Sequence, residues 1–86
     1  MSKDLAATVQ RIRKALRQRL TGRASEALIQ RLENHLDKAL TGAGSLTESL
    51  SGIRTTVRLL IDEKLADELY QNLLFIGIAS GQVKRT

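Results

Sequence analysis

Hydrophobic residues recur at helical spacing along most of this chain. The longest series spans residues 46–76 and consists of Leu46, Leu50, Ile53, Val57, Ile61, Leu65, Leu69, Leu73 and Ile76. Steps of three and four residues place all of them on one side of an α-helix. A helix of about 31 residues is roughly 46 Å long. Such a helix needs partner helices along its whole length, from this chain or from a second copy.

Two shorter series precede it. Ser2 can cap a first helix, whose buried face is formed by Leu5, Val9, Ile12, Leu16 and Leu20. Gly22 is suited to the left-handed position that follows a helix. A second helix begins near Ala24 or Ser25, and its buried face is formed by Leu28, Ile29, Leu32, Leu36, Ala39 and Leu40. Because few residues separate the two helices, they should form an antiparallel hairpin.

The clearest boundary in the chain is the start of the third segment. Ser45 is followed three residues later by Glu48 and then by the long apolar series, which is a capping-box pattern. We therefore predict helices over residues 3–20, 24–41 and 46–78, and no strand. Gly52 lies inside the third helix, where it either marks the close approach of another helix or is neutral.

The pattern leaves the continuity of the third helix open. Beyond Leu60 the apolar side has rotated, and Lys64 occupies a position where the earlier apolar side would have continued. Either Asp62 caps a new helix after a tight turn near residues 62–64, or one helix changes partner along its length. Because no Gly or Pro lies between Ile53 and Ile76, the pattern favours a continuous helix.

Composition supports an all-α fold for a single domain over residues 1–81, with a short basic tail over 82–86. The chain has 86 residues, no Pro, and only Tyr70 and Phe75 as aromatic residues. A core of this size is marginal, and dimerisation is a common remedy. We therefore predict a helical hairpin packed on a long C-terminal helix, in a homodimer. The predicted dimer contact lies in its most apolar part: Leu69, Leu73, Phe75 and Ile76.

Charge is distributed unevenly along the chain. The first 23 residues carry a net charge of +6, whereas residues 62–68 carry −3. A basic, arginine-rich helix in a protein of pI about 10.3 is typical of nucleic-acid binding. The predicted nucleic-acid-binding residues are Lys3, Arg11, Arg13, Lys14, Arg17, Arg19 and Arg23.

Two other interpretations of the basic helix remain open. Its arginines could pair with the acidic segment, through Asp62, Glu63, Asp67 or Glu68. They could also lie on a membrane surface, although the first helix lacks the Trp and Phe residues that such helices use.

No arrangement of residues indicates an enzyme or a cofactor site. The chain has no Cys, and its single histidine, His35, lies beside the apolar face of the second helix without metal-ligand spacing. We expect no metal, no cofactor, no secretory signal and no membrane-spanning segment, and we expect a cytoplasmic location.

The end of the chain, residues 69–86, loosely resembles the turn and recognition helix of helix-turn-helix proteins. The resemblance implies a turn at Gly77 and a second helix that buries Val83. However, Leu73 stands where a small residue is usual, and Gly81 would weaken the second helix. We interpret the similarity as fortuitous.

Two functions follow from these features. The first is a small, non-enzymatic nucleic-acid-binding accessory or regulatory protein that uses the basic first helix. The alternative is a protein–protein interaction module, such as an adaptor, inhibitor or assembly subunit, that acts through helix-bundle contacts. The charge favours the first and the apolar C-terminal segment favours the second.

Overall fold

A computed structural model describes the backbone of residues 2–83 and the side chains of residues 4–83. The described chain forms four helices: α1 (Ser2–Leu20), α2 (Glu26–Thr41), α3 (Leu46–Leu60) and α4 (Glu63–Ala79). Over these residues, β structure is limited to a single-residue bridge between Thr21 and Ala24. The all-α prediction is therefore confirmed.

Local hydrogen bonds and backbone angles place the end of α1, both ends of α2 and the start of α3 close to the predicted boundaries. Gly22 and Gly42 follow α1 and α2 with φ angles of +87° and +81°. Ser25 accepts a hydrogen bond from the Leu28 amide at 3.2 Å and caps α2. Ser45 and Glu48 form the predicted capping box, with reciprocal bonds of 2.9 and 3.1 Å. The bonds from the backbone and side chain of Ser45 lower the pKa of Glu48.

The third predicted helix is two helices. α3 ends at Leu60, and Asp62 adopts an extended conformation and caps α4 by accepting a 2.8 Å hydrogen bond from the Leu65 amide. The alternative of a new helix after a tight turn is thus the one observed. Neither Ile61 nor Asp62 has a positive φ, so the turn does not require glycine. The turn folds α4 back onto α3 and α1.

Each helix packs against two others. α1 contacts α2 and α4, and α3 contacts α2 and α4. Arg13 and Arg17 of α1 reach Asp37 and Glu26 of α2 respectively, so this pair is antiparallel. Leu46, at the start of α3, lies beside Gly77, near the end of α4, so this pair is antiparallel as well. The described chain is a bundle of two antiparallel hairpins, α1–α2 and α3–α4.

All four helices contribute to one apolar core. Its fully buried side chains include Ile12, Leu16, Leu20, Leu32, Leu36, Leu50, Ile53, Leu69 and Leu73. The predicted apolar faces of α1, α2 and α3 supply most of these residues. The turn at Asp62 allows the apolar residues of α3 and those of α4 to be buried in the same core.

α4 runs through Gly77 to Ala79, so the turn implied by the helix-turn-helix resemblance is absent. Beyond α4 the chain folds back on itself, with the amides of Gln82 and Val83 donating to the Gly77 carbonyl at 2.9 and 3.1 Å. Val83 is buried and packs on Gly77. The remaining tail residues, Lys84, Arg85 and Thr86, lie outside the described residues.

Over the described residues, no helix has the length and apolar character needed to cross a bilayer.

Candidate nucleic-acid interface

Arg17 of α1 is bound to α2. Its Nε and Nη2 atoms donate to the two carboxylate oxygens of Glu33, at 3.1 and 2.9 Å. Its Nη1 atom donates to both oxygens of Glu26 at 2.8 Å. The hydrogen bonds to Glu33, and then those to Glu26, raise the pKa of Arg17. Because Glu33 is buried, Arg17 is the cation that compensates a carboxylate held away from water.

Arg13, one turn earlier on α1, also faces α2. Its Nη2 atom donates to Asp37 at 2.8 Å, and its Nη1 atom lies 3.8 Å from Glu33. Its Nε atom is buried without a hydrogen-bond partner among the described residues. Two of the predicted nucleic-acid contacts are therefore engaged within the chain. Their partners are carboxylates of α2 rather than those of the acidic segment proposed from the sequence.

The acidic segment has its own partners. Asp67 Oδ1 accepts a hydrogen bond from Nε of Arg54 in α3 at 3.0 Å, and it lies 2.8 Å from Arg54 Nη2 and 3.5 Å from Arg58 Nη2. The guanidinium of Arg54 also lies 4.9 Å from the centre of the Tyr70 ring, a cation–π contact. Asp62 is occupied as the cap of α4. These contacts join α3 to α4, so the segment helps to hold the second hairpin together.

The solvent-exposed side of α1 carries Arg11 and Lys14, which we call the α1 face. Neither side chain lies within 4 Å of a carboxylate in the part of the chain that the structure describes. The predicted site residue Lys3 has a side chain outside the described residues. The sequence predicted one basic surface for α1, and the structure divides it into a bound side and an exposed side.

The last two predicted residues lie away from the α1 face. Arg23 is exposed in the turn between α1 and α2. Arg19 is exposed on the side of α1 that faces α4, at a broad cavity of about 590 Å³ that Asp67 and Glu68 also line. Arg19 therefore shares this cavity with two carboxylates of the acidic segment, but no ion pair within 4 Å joins Arg19 to either of them in the described chain.

The two hairpins differ in net charge. Residues 1–41 contain nine Lys and Arg against four Asp and Glu, a net charge of +5. Residues 42–83 contain three against five, a net charge of −2. The ion pairs of Arg13 and Arg17 are formed within the first hairpin and leave its surplus unchanged. Within residues 1–83, the surplus of positive charge therefore belongs to the α1–α2 hairpin.

The residues predicted as a dimer contact are placed in two environments. Leu69 and Leu73 have 0% exposure and belong to the core of the single chain. Ile76 is partly buried, and Phe75 is 65% exposed. Leu74 and Ile78 belong to the same apolar segment of the sequence, and they are partly buried against the core. Only part of the predicted contact can therefore reach a second copy.

His35 and Gly52 meet across the contact between α2 and α3. A Cβ atom at Gly52 would lie 2.8 Å from His35 Nδ1 and 3.0 Å from Cε1, so the ring occupies the space that a side chain would fill. Gly52 thus marks a close approach, one of the two alternatives left by the sequence. Burial lowers the pKa of His35, and the positive charges of Lys38 and Arg31 lower it further.

No group of three His, Cys, Asp or Glu side chains among the described residues could hold a metal ion. Comparison of the chain with models of known protein families, with curated proteins and with solved structures finds no match.

Proposed function

We propose that this protein is a small, non-enzymatic accessory or regulatory protein that binds the phosphate backbone of nucleic acids through the α1 face. The observation that carries the proposal is the net charge of +5 on residues 1–41. Two of the cations in this range, Arg11 and Lys14, are exposed and unpaired among the described residues. Clustered cations on one side of a protein release counterions from a polyanion on binding. A cytoplasmic location remains part of this proposal.

The proposed binding does not depend on base sequence. Contacts between cations and phosphates fix the position of a protein on a duplex, whereas sequence is read by groups that enter a groove. In α1, the exposed cations are flanked by Gln10 and Gln18 and lie on a helix that is packed on α2 and α4. This arrangement favours backbone contact from one side of the bundle.

Replacing both exposed cations, Arg11→Ala with Lys14→Ala, should weaken binding to all DNA and RNA sequences alike. The log–log dependence of affinity on salt should flatten by nearly two units, since each neutralised phosphate of a duplex contributes about 0.9. Stability should hardly change, because both side chains are exposed and Ala is the better helix former. Fluorescence anisotropy at two salt concentrations, with a thermal melt, measures both effects.

A matched control removes the same charges elsewhere. Arg19→Ala with Lys64→Ala also deletes one arginine and one lysine, but from the side of α1 that faces α4 and from α4 itself. This variant should retain more affinity than the α1-face variant. Equal losses in the two variants would mean that binding follows net charge alone. No binding by the wild type at about 50–100 mM salt would refute the nucleic-acid proposal.

A specific observation favours a second candidate, an interaction module that forms a homodimer. Phe75 is 65% exposed on α4, with Leu74 and Ile78 partly exposed next to it. Exposed apolar groups that lie together are typical of protein contacts. We place the proposed dimer contact on this outer side of α4, since Leu69 and Leu73 are occupied in the core.

Phe75→Asp should convert a dimer to a folded monomer. The ring makes little contact within its own chain, so the fold should survive while an apolar contact between two copies is lost. Sedimentation equilibrium measures the association, and circular dichroism reports the fold. Leu59→Asp is a suitable control, because Leu59 is 75% exposed near the end of α3. A wild-type protein that is monomeric at high micromolar concentration would exclude this candidate.

A further inference from the structure

A polar groove runs between α2 and α3, on a side of the bundle that the α1 face does not include. It holds two adjoining cavities of about 310 and 280 Å³, and both are lined by His35 and Lys38. The first extends to Gly44 and Ser49 at the start of α3, and its lining also includes Gly52. The second is completed by Arg31, Asn34 and Thr56.

The α2 side of the groove is positively charged. Arg31, His35 and Lys38 are spaced by four and three residues, so their side chains lie on one side of α2. Neither Arg31 nor Lys38 forms an ion pair with a carboxylate among the described residues. Arg31 and Lys38 lie seven residues apart, about two turns of the helix, with His35 between them. Their presence without a counterion indicates a place where an external anion would be stabilised.

The α3 side contributes one carboxylate, that of Glu48. One of its oxygens accepts from the Ser45 amide at 2.9 Å, because Glu48 is part of the capping box. It is therefore held at the first turn of α3 and is not paired with Lys38. The remaining polar group beside the cations is the Asn34 amide, which offers two N–H donors. The groups that line the second cavity include an arginine, a lysine, an imidazole and an amide, with no carboxylate.

Gly52 fixes the position of the imidazole. A glycine inside a helix costs up to about 1 kcal/mol relative to alanine. Here the missing Cβ allows the His35 ring to lie against α3, at the point where the two cavities meet. Packing against Gly52 thus holds the His35 ring at the base of the groove, between Arg31 and Lys38.

We propose that this groove binds a phosphate group, either free phosphate or a phosphate monoester, through Arg31, Lys38 and His35. Guanidinium and ammonium groups are the usual partners of phosphate oxygens, and a protonated imidazole adds a third charged donor. A bound dianion favours the protonated form of His35 and offsets the effects of burial and of the neighbouring cations. Binding of the anion and protonation of His35 are therefore coupled.

The primary experiment follows the ring protons of His35 by NMR while inorganic phosphate is added to the full chain, with sodium chloride at matched ionic strength as the control. Saturable shifts of His35 are expected with phosphate and not with chloride. Arg31→Gln with Lys38→Gln should weaken this binding roughly tenfold or more. Arg11→Ala with Lys14→Ala should leave it unchanged, so failure here and failure of the α1-face proposal are distinguishable.

Sulfate tests the coupling to protonation, because its charge is constant between about pH 5 and 8. Arg31, Lys38 and Glu48 are the other charged residues that line the two cavities with His35, and the test addresses the protonation of His35. Sulfate affinity should fall as the pH rises through the pKa of His35. The pKa of His35 should rise by about one unit when sulfate is bound, a tenfold change in proton affinity. In His35→Gln the affinity should be lower and independent of pH.

Adenosine monophosphate identifies the source of the phosphate group. Tighter binding of the nucleotide than of inorganic phosphate would assign a phosphate monoester, and the reverse order would assign the free ion. Either result supports the site, provided that the Arg31→Gln, Lys38→Gln variant no longer binds the ligand. Circular dichroism must show that this variant remains folded. Shifts that chloride reproduces, or binding that this variant retains in full, would overturn the proposal.

Discussion

Leu73→Ala is expected to lower the free energy of unfolding by about 2–5 kcal/mol. The side chain has 0% exposure and is surrounded by the other core residues of the bundle, so its truncation removes apolar contacts and leaves a cavity. The total stability of a domain is only about 5–15 kcal/mol, so the loss is a large fraction of it. Urea denaturation followed by circular dichroism, at two protein concentrations, gives the value.

The same experiment shows whether Leu73 is a core residue of the single chain or part of a contact between two copies. Phe75→Ala, at a 65% exposed position two residues away, should change the stability of the single chain by about 0.5 kcal/mol or less. The effect of Leu73→Ala should not depend on protein concentration. A loss that appears only under conditions in which the protein self-associates would instead place Leu73 in a dimer contact, as the sequence alone suggested.

Arg17→Met should destabilise the bundle, because the Arg17 guanidinium is hydrogen-bonded to both carboxylate oxygens of Glu33. The methionine keeps most of the apolar stem but removes the donors to Glu33, whose side chain is only 8% exposed. Glu33 would be left with Arg13 at 3.8 Å. A buried acceptor without its partners costs about 1–3 kcal/mol, and thermal or urea unfolding measures this loss.

A second substitution tests this explanation. Glu33→Leu in the Arg17→Met background should recover most of the lost stability, since replacing both members of a buried ion pair with apolar residues is often neutral or favourable. Arg13→Met should cost less than Arg17→Met, because the main partner of Arg13, Asp37, is 53% exposed. If Arg17→Met left stability intact but reduced nucleic-acid affinity, Arg17 would be a phosphate contact rather than the partner of Glu33.

The sequence was sufficient for those features that depend on neighbouring residues. The capping box of Ser45 and Glu48 and the left-handed Gly22 are formed by groups within a few positions of each other. The apolar faces of α1 and α2 follow from helical geometry once a helix is assumed. These features gave the all-α class, three helix starts and most of the core.

The sequence allowed a break at Ile61 and Asp62, but it could not decide between this break and a continuous helix. Asp62 is an acceptable cap, yet an aspartate in an uninterrupted apolar pattern is also acceptable on the surface of a long helix. The choice depends on burial elsewhere, because only the turn brings Leu69 and Leu73 back into contact with the other helices of the same chain. If a second copy of the chain had buried the apolar residues of 63–79, the same pattern would have been compatible with a continuous helix.

By itself, the sequence determined which side of each helix is apolar and how much charge each segment carries. The tertiary structure decided which surfaces face one another: Arg17 lies against Glu33 rather than the acidic segment, Leu73 lies inside the chain while Phe75 is exposed, and His35 lies over Gly52. The physical reason is the range of the interactions. Caps and helical periodicity act over a few residues, whereas ion pairs and core contacts depend on which helices the turns bring together.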